Sequence, residues 1–210
     1  MSAFRIAAAI SLALLTVTAA AAPQPTVPPA AHAGEAPPAA RDPAPAAEQP
    51  DGEHWAATVM VRCGNSAGTA FHLGSGRYAT ASHVTRFGEC SIDGVPVRTV
   101  YEDHQLDVAE IEGPVLAAKL EADCSPLKKG GEYLALGFTG GRFRIQLPMI
   151  HSPFGRHPEN NSAQFVGSDT QPGMSGGPSI GTTMKAAAIT IQRWPNRARP
   201  LADTHFCRRA

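Results

Sequence analysis

Thr170-Gln171-Pro172-Gly173-Met174-Ser175-Gly176-Gly177-Pro178 sets one serine hydroxyl among glycines. The string satisfies Gly-x-Ser-x-Gly, the pattern of a strand-to-helix elbow in which a helix follows the serine at once. A loop between two β-strands yields the same string. The flanking residues separate the two readings. Pro178 interrupts a helix before it completes a turn, because it has no N–H and its ring clashes with the preceding turn. Only 35 residues follow Ser175, and their sole acid and histidine are Asp203 and His205. The elbow reading fails on topology, and the loop reading stands.

A hydroxyl in such a loop becomes a nucleophile only beside a base, and an imidazole base needs a carboxylate to hold its tautomer and its charged form. Two upstream stretches supply candidates. GTAFHLGSGRYATASHV, residues 68–84, reads as two strands joined by a glycine turn and ends in small residues and His83. Gln105-Leu106-Asp107-Val108-Ala109 opens an apolar run on an aspartate. Taken singly, a histidine beside a strand, an aspartate at a strand start and a serine in a glycine loop are ordinary surface or turn residues. Their joint occurrence in the order His, Asp, Ser gives the set its meaning. His72, inside the GTAFHL run, lacks comparable surroundings and reads as structural.

The chain around these stretches is a series of short β-rich runs: AATVMVRC, GTAFHL, RYATA, VPVRTVY, LDVAEIE, EYLALGF, RFRIQLPMI, AQFVG and KAAAITIQRW. Gly74-Ser75-Gly76, Asp93-Gly94, Gly130-Gly131 and Gly140-Gly141 stand between them as turns. No run after the N-terminal segment carries a helical stripe over three turns. The fold class is all-β, a barrel or a sandwich, and periodicity alone does not choose between them.

Residues 1–21 pass from Arg5 through the uncharged Ile6–Val17 stretch into small residues, with Ala19 and Ala21 at the small-x-small positions. This is the build of a cleaved secretory signal peptide, too short to span a bilayer, so no stable membrane insertion is expected after cleavage. Residues 22–53, rich in proline and alanine, lack apolar periodicity and read as a disordered linker or tether. Residues 54–210 are one domain's worth of chain. Eighteen Lys and Arg balance 18 Asp and Glu, so no bulk field points to nucleic acid. Arg193, Arg197, Arg199, Arg208 and Arg209 read as a solvated face. Cys63, Cys90, Cys124 and Cys207 form no Cys-x-x-Cys and have no close histidine, which argues against a zinc site. In an exported chain they read as disulfides, with three connectivities open. No metal and no cofactor is expected.

On Gly68-Thr69-Ala70-Phe71, Thr80-Ala81-Ser82-His83-Val84, Asp107-Val108-Ala109 and Pro172–Pro178 the chain resembles the chymotrypsin-like (trypsin-fold) serine endopeptidases, and is most similar to their bacterial exported branch. The resemblance spans nearly all of residues 54–195. It implies two six-stranded antiparallel β-barrels, about 54–118 and 127–200, with the active site in the cleft between them. It implies Ser175 as nucleophile, His83 as general base and acid, Asp107 as orienting carboxylate, and the N–H groups of Gly173 and Ser175 as oxyanion hole. The substrate would be a polypeptide, and the location periplasmic or secreted. Among the three connectivities it favours Cys63 with Cys90 and Cys124 with Cys207.

Two features depart from the family pattern. Many animal members carry an aspartate before the nucleophile and an Ile/Val-Val-Gly-Gly start, which pair on activation; here Met174 stands before Ser175 and no such start lies between Gly52 and Val61. That activation switch is expected to be absent. Asp169 lies six residues before Ser175, the offset at which trypsin-like members place a substrate-binding carboxylate for Arg or Lys. A strand-edge or turn role is the alternative. Two other functions stand as alternatives: a protease-fold binding protein without turnover, against which the complete His-Asp-Ser set argues, and an esterase using the same serine.

Overall fold

The computed structural model describes residues 52–156, 161–192 and 196–208. The signal segment 1–21, the linker up to residue 51, Arg193 and Arg209 lie outside the described residues. Twelve strands carry the architecture: β1 (Thr58–Cys63), β2 (Ser66–Gly74), β3 (Arg77–Thr80), β4 (Cys90–Ile92), β5 (Val95–Asp103), β6 (Val108–Glu112), β7 (Glu132–Thr139), β8 (Phe143–Arg156), β9 (Ala163–Gly167), β10 (Pro178–Ile180), β11 (Ala186–Gln192) and β12 (Arg197–Pro200). Three one-turn helices, α1 (Glu53–Ala56), α2 (Ser82–Thr85) and α3 (His205–Arg208), stand at the junctions.

The strands close into two antiparallel barrels of six. The first runs β1-β2-β3-β6-β5-β4 and the second β7-β8-β9-β12-β11-β10, the same permutation twice. Closure leaves neither barrel with an open edge, which explains how strands of three residues persist. It also explains why several strands are buried on both faces: Tyr78, Ala79 and Thr80 of β3 and all of β10 are buried. β5 is the contrast, with Val95 and Val100 exposed.

Several contacts join the barrels. Trp55 of α1 meets Phe138 of β7 edge-on, with ring centroids 6.1 Å apart. The connection between barrels lies along β11, where Asp123 N donates to Ala186 O at 2.7 Å and Ala186 N donates to Glu121 O at 2.9 Å. The C-terminal α3 returns to the first barrel: His205 Nε2 is 2.7 Å from Glu110 Oε2 on β6, and its ring packs against Tyr101 on β5 at a tilt of 40°. Two disulfides are formed, Cys63–Cys90 across β1 and β4 and Cys124–Cys207 between the connection and α3. Among the described residues no helix is long and apolar enough to cross a membrane.

The C-terminal arginines do not share one solvated face. Arg208 is exposed, but Arg199 is only 1 % exposed and donates from Nε to Leu106 O of the first barrel at 2.9 Å. The residue packs inside the fold because a planar guanidinium, weakly hydrated and rich in donors, is the cation most readily buried against carbonyl oxygens.

Candidate active site

His83 sits in α2, a single turn that follows β3 directly, and Asp107 ends the loop that leads into β6. The loop is shaped by Asp103, whose Oδ1 accepts from the N–H groups of Gln105 and Leu106, both at 2.9 Å. Asp107 itself adopts φ 55°, a left-handed conformation that aspartate tolerates better than most residues. In that pose its carboxylate bonds His83 twice: Oδ2 lies 2.8 Å from His83 Nδ1, and Oδ1 accepts from the His83 backbone N–H at 2.9 Å. The two side chains are 30 % and 23 % exposed, shielded enough to hold one geometry yet open to a reactant. With Nδ1 engaged by a carboxylate, the proton-accepting nitrogen of the neutral ring is Nε2.

Beside them, Ser82 Oγ lies 3.2 Å from His104 Nδ1, and the Thr85 hydroxyl lies within hydrogen-bond reach of both the Glu102 carboxylate and Ser82 O. These bonds tie α2 to the end of β5. His72, read as structural, is 1 % exposed, with Nδ1 2.7 Å from Ala118 O and Nε2 accepting from Gly76 N at 3.2 Å.

Ser175 is half-buried in the loop between β9 and β10. That loop is bonded to both barrels. Ser175 O accepts from Thr69 N of β2 at 2.8 Å, and Gly176 N donates to Thr190 O of β11 at 2.7 Å. Gly176 has φ 88°, and a Cβ there would lie 2.1 Å from Thr69 O and 2.9 Å from Ala81 N, so no larger residue fits. A Cβ on Gly68 would lie 2.7 Å from the Val84 side chain and 3.0 Å from Ser175 O. Ala81, two residues before His83, therefore abuts Gly176 directly, and Val84, just after it, packs on Gly68, which in turn borders Ser175 O.

Gly173 has φ 97°, and a Cβ would meet Phe138 O at 2.6 Å. Neither the Gly173 N–H nor the Ser175 N–H donates a hydrogen bond among the described residues. Between them Met174 is fully buried with Ala135, Met149, Phe165 and Ala188, and its Sδ accepts from Gln171 N at 3.3 Å. An apolar side chain thus fills the position where many animal members of the fold carry an aspartate.

Asp169 is exposed, and its backbone carbonyl accepts from Gln171 Nε2 at 3.2 Å. Its neighbour Thr170 is anchored instead: its N–H and hydroxyl both reach Asn196 Oδ1 at 3.1 Å, and Asn196 Nδ2 donates to Ser168 O at 2.9 Å. Sequence reasoning gave no role to Asn196 and none of its own to Thr69, and it read Arg199 as part of a solvated face. Thr69 alone had a signal, since it belongs to the Gly68–Phe71 stretch that carries the family likeness.

Neither a protein-family model nor a curated protein sequence matches the chain. Solved structures do. The M. tuberculosis protease Rv3671c in its inactive form is similar at a TM-score of 0.59 and 20 % identity, over 69 % of this chain and 83 % of that one. Deg5 is similar at 0.59 and 18 % identity over the same shares. The serine endoprotease from Yersinia pestis is similar at 0.59 and 18 % identity, over 74 % of this chain and 64 % of that one. The fold of this chain is the chymotrypsin-like double β-barrel, the fold of trypsin-like serine proteases.

Proposed function

We propose that the chain is an exported serine endopeptidase. The observation that carries this reading is the doubly bonded His83–Asp107 pair, together with a Ser175 loop in which the N–H groups of Gly173 and Ser175 have no acceptor among the described residues. Ser175 Oγ attacks the substrate carbonyl while His83 Nε2 takes its proton. The tetrahedral oxygen then accepts hydrogen bonds from Gly173 and Ser175, whose donors need no reorganisation as charge develops. His83 returns the proton to the leaving amine, an acyl-enzyme remains on Ser175, and water activated by His83 releases the acid. Asp107 keeps the imidazole oriented and offsets its charge throughout.

Export is supported by the N-terminal signal pattern and by the two disulfides, which persist in the periplasm or outside the cell rather than in the cytosol. Asp169 is proposed as a contributor to substrate selection, on its offset from Ser175 alone. The test is a peptide library incubated with the chain beginning at Ala22, with cleaved bonds read by mass spectrometry. Cleavage lost in Ser175→Ala supports the peptidase. Hydrolysis of esters alone would assign an esterase, and no hydrolysis a binding protein. Enrichment of Arg or Lys at the cleaved position, weakened in Asp169→Asn, supports the pocket role; no enrichment removes it.

A further inference from the structure

Thr69 is completely buried at the seam between the barrels, and each of its polar groups is hydrogen-bonded. Its hydroxyl donates to Gly173 O at 2.7 Å and accepts from Phe138 N of β7 at 3.0 Å. Its N–H donates to Ser175 O at 2.8 Å, and its carbonyl accepts from Thr80 Oγ1 at 2.7 Å. One first-barrel residue therefore holds the carbonyls of both residues whose N–H groups are proposed to form the oxyanion hole.

We infer that Thr69 is a positioning residue for the oxyanion hole, supplying the fixation that an aspartate before the nucleophile supplies in animal members of the fold; this rests on the proposed role of Ser175. The Gly173–Met174 peptide is planar, so it is fixed when both of its ends are held. Thr69 Oγ1 holds the carbonyl end, and Met174 N donates to Gln171 O at 3.1 Å at the other. The remaining freedom is rotation about the backbone bonds of Gly173, which has no side chain to restrain them. Met174 offers no charge for the task, being buried and apolar. The hydroxyl needs both of its roles: donating to Gly173 fixes the loop, and accepting from Phe138 aims the hydroxyl and leaves its proton for Gly173.

The experiment compares Thr69→Val, Thr69→Ala and Thr69→Ser with the wild type. Valine keeps the shape and removes the hydroxyl; alanine leaves space should valine prevent folding; serine restores the hydroxyl without the methyl group. Each is checked for folding by circular dichroism and assayed on a peptide substrate identified for the wild type. In Thr69→Val or Thr69→Ala kcat falls about 10²-fold, the scale of losing or misplacing one oxyanion donor, while KM changes little. Affinity for a peptidyl aldehyde, whose tetrahedral oxygen occupies the same place, falls with kcat. The Phe138 amide exchanges with solvent faster, and Thr69→Ser recovers most of the loss. A folded Thr69→Val with wild-type kcat overturns the inference and leaves the proposed function standing. So does a Thr69→Ser variant as impaired as Thr69→Val, since volume would then be the determinant. A wild type that neither cleaves peptides nor binds the aldehyde overturns the reading of Ser175 and the inference with it.

Discussion

Replacing Cys124 and Cys207 together by alanine removes a covalent link whose cost can be worked out. The bridge spans a sequence separation of 83, and Cys124 is exposed while Cys207 is half-buried, so truncation opens no core cavity. The loss is then the closure entropy released in the unfolded chain, about 4.5 kcal/mol for a loop of this length. For a domain of this size that corresponds to a fall in Tm of about 9–18 °C. Activity at 25 °C is expected to survive. α3 keeps its noncovalent contacts with the first barrel, His205 with Glu110 and with the Tyr101 ring, whose centroids are 3.8 Å apart. The assay is differential scanning calorimetry of the double variant beside the wild type, with peptide hydrolysis measured well below both transitions. A Tm shift below about 2 °C would refute the entropy argument. Loss of activity in a variant that is still folded would refute the claim that α3 stays docked without the bridge.

Glu110 governs a pH dependence. Burial pushes its carboxyl up, but hydrogen bonds and charge from Arg77 and His205 outweigh burial and hold it below the ordinary carboxylate range. Its contribution to stability is therefore complete above the unfolded carboxylate value of about 4.3 and is lost as pH falls through the lower folded value. Urea midpoints measured from neutral pH down through that range should show Glu110→Gln less stable at neutral pH and less sensitive to acid; an unchanged acid slope contradicts the assignment. Asp107→Asn should lower kcat by about 10⁴-fold with little change in Tm, because it presents the wrong hydrogen-bonding partner to His83 Nδ1 while keeping the shape. A loss below tenfold, read in steady-state hydrolysis, contradicts the orienting role.

The nine β-rich runs match nine of the twelve strands, and AQFVG coincides with β9. The three that escaped, β4, β10 and β12, are three or four residues long, too short for a period of two to register. β10 also begins on Pro178, and β12 carries two arginines that read as surface. Ring closure stabilises these strands, and closure is a property of the whole barrel. Arg199 misled for a related reason: its acceptor, Leu106 O, lies 93 residues away. His83, Asp107 and Ser175 stand out in the sequence as candidates because hydroxyl attack needs those three residue types in fitting local contexts, and the structure bonds the first two to each other. Thr69 was visible only as part of a likeness. Its partners Phe138 and Gly173 are 69 and 104 residues distant, and no local pattern encodes them.

The central claim is that Ser175 is a nucleophile activated by His83. The most direct measurement is covalent labelling of the chain beginning at Ala22 by a fluorophosphonate probe, with the modified residue located by mass spectrometry beside Ser175→Ala and His83→Ala. The account predicts stoichiometric labelling of the wild type at Ser175, none in Ser175→Ala, and labelling slowed severely in His83→Ala. Labelling that persists in Ser175→Ala, or a wild type that never reacts, would contradict it.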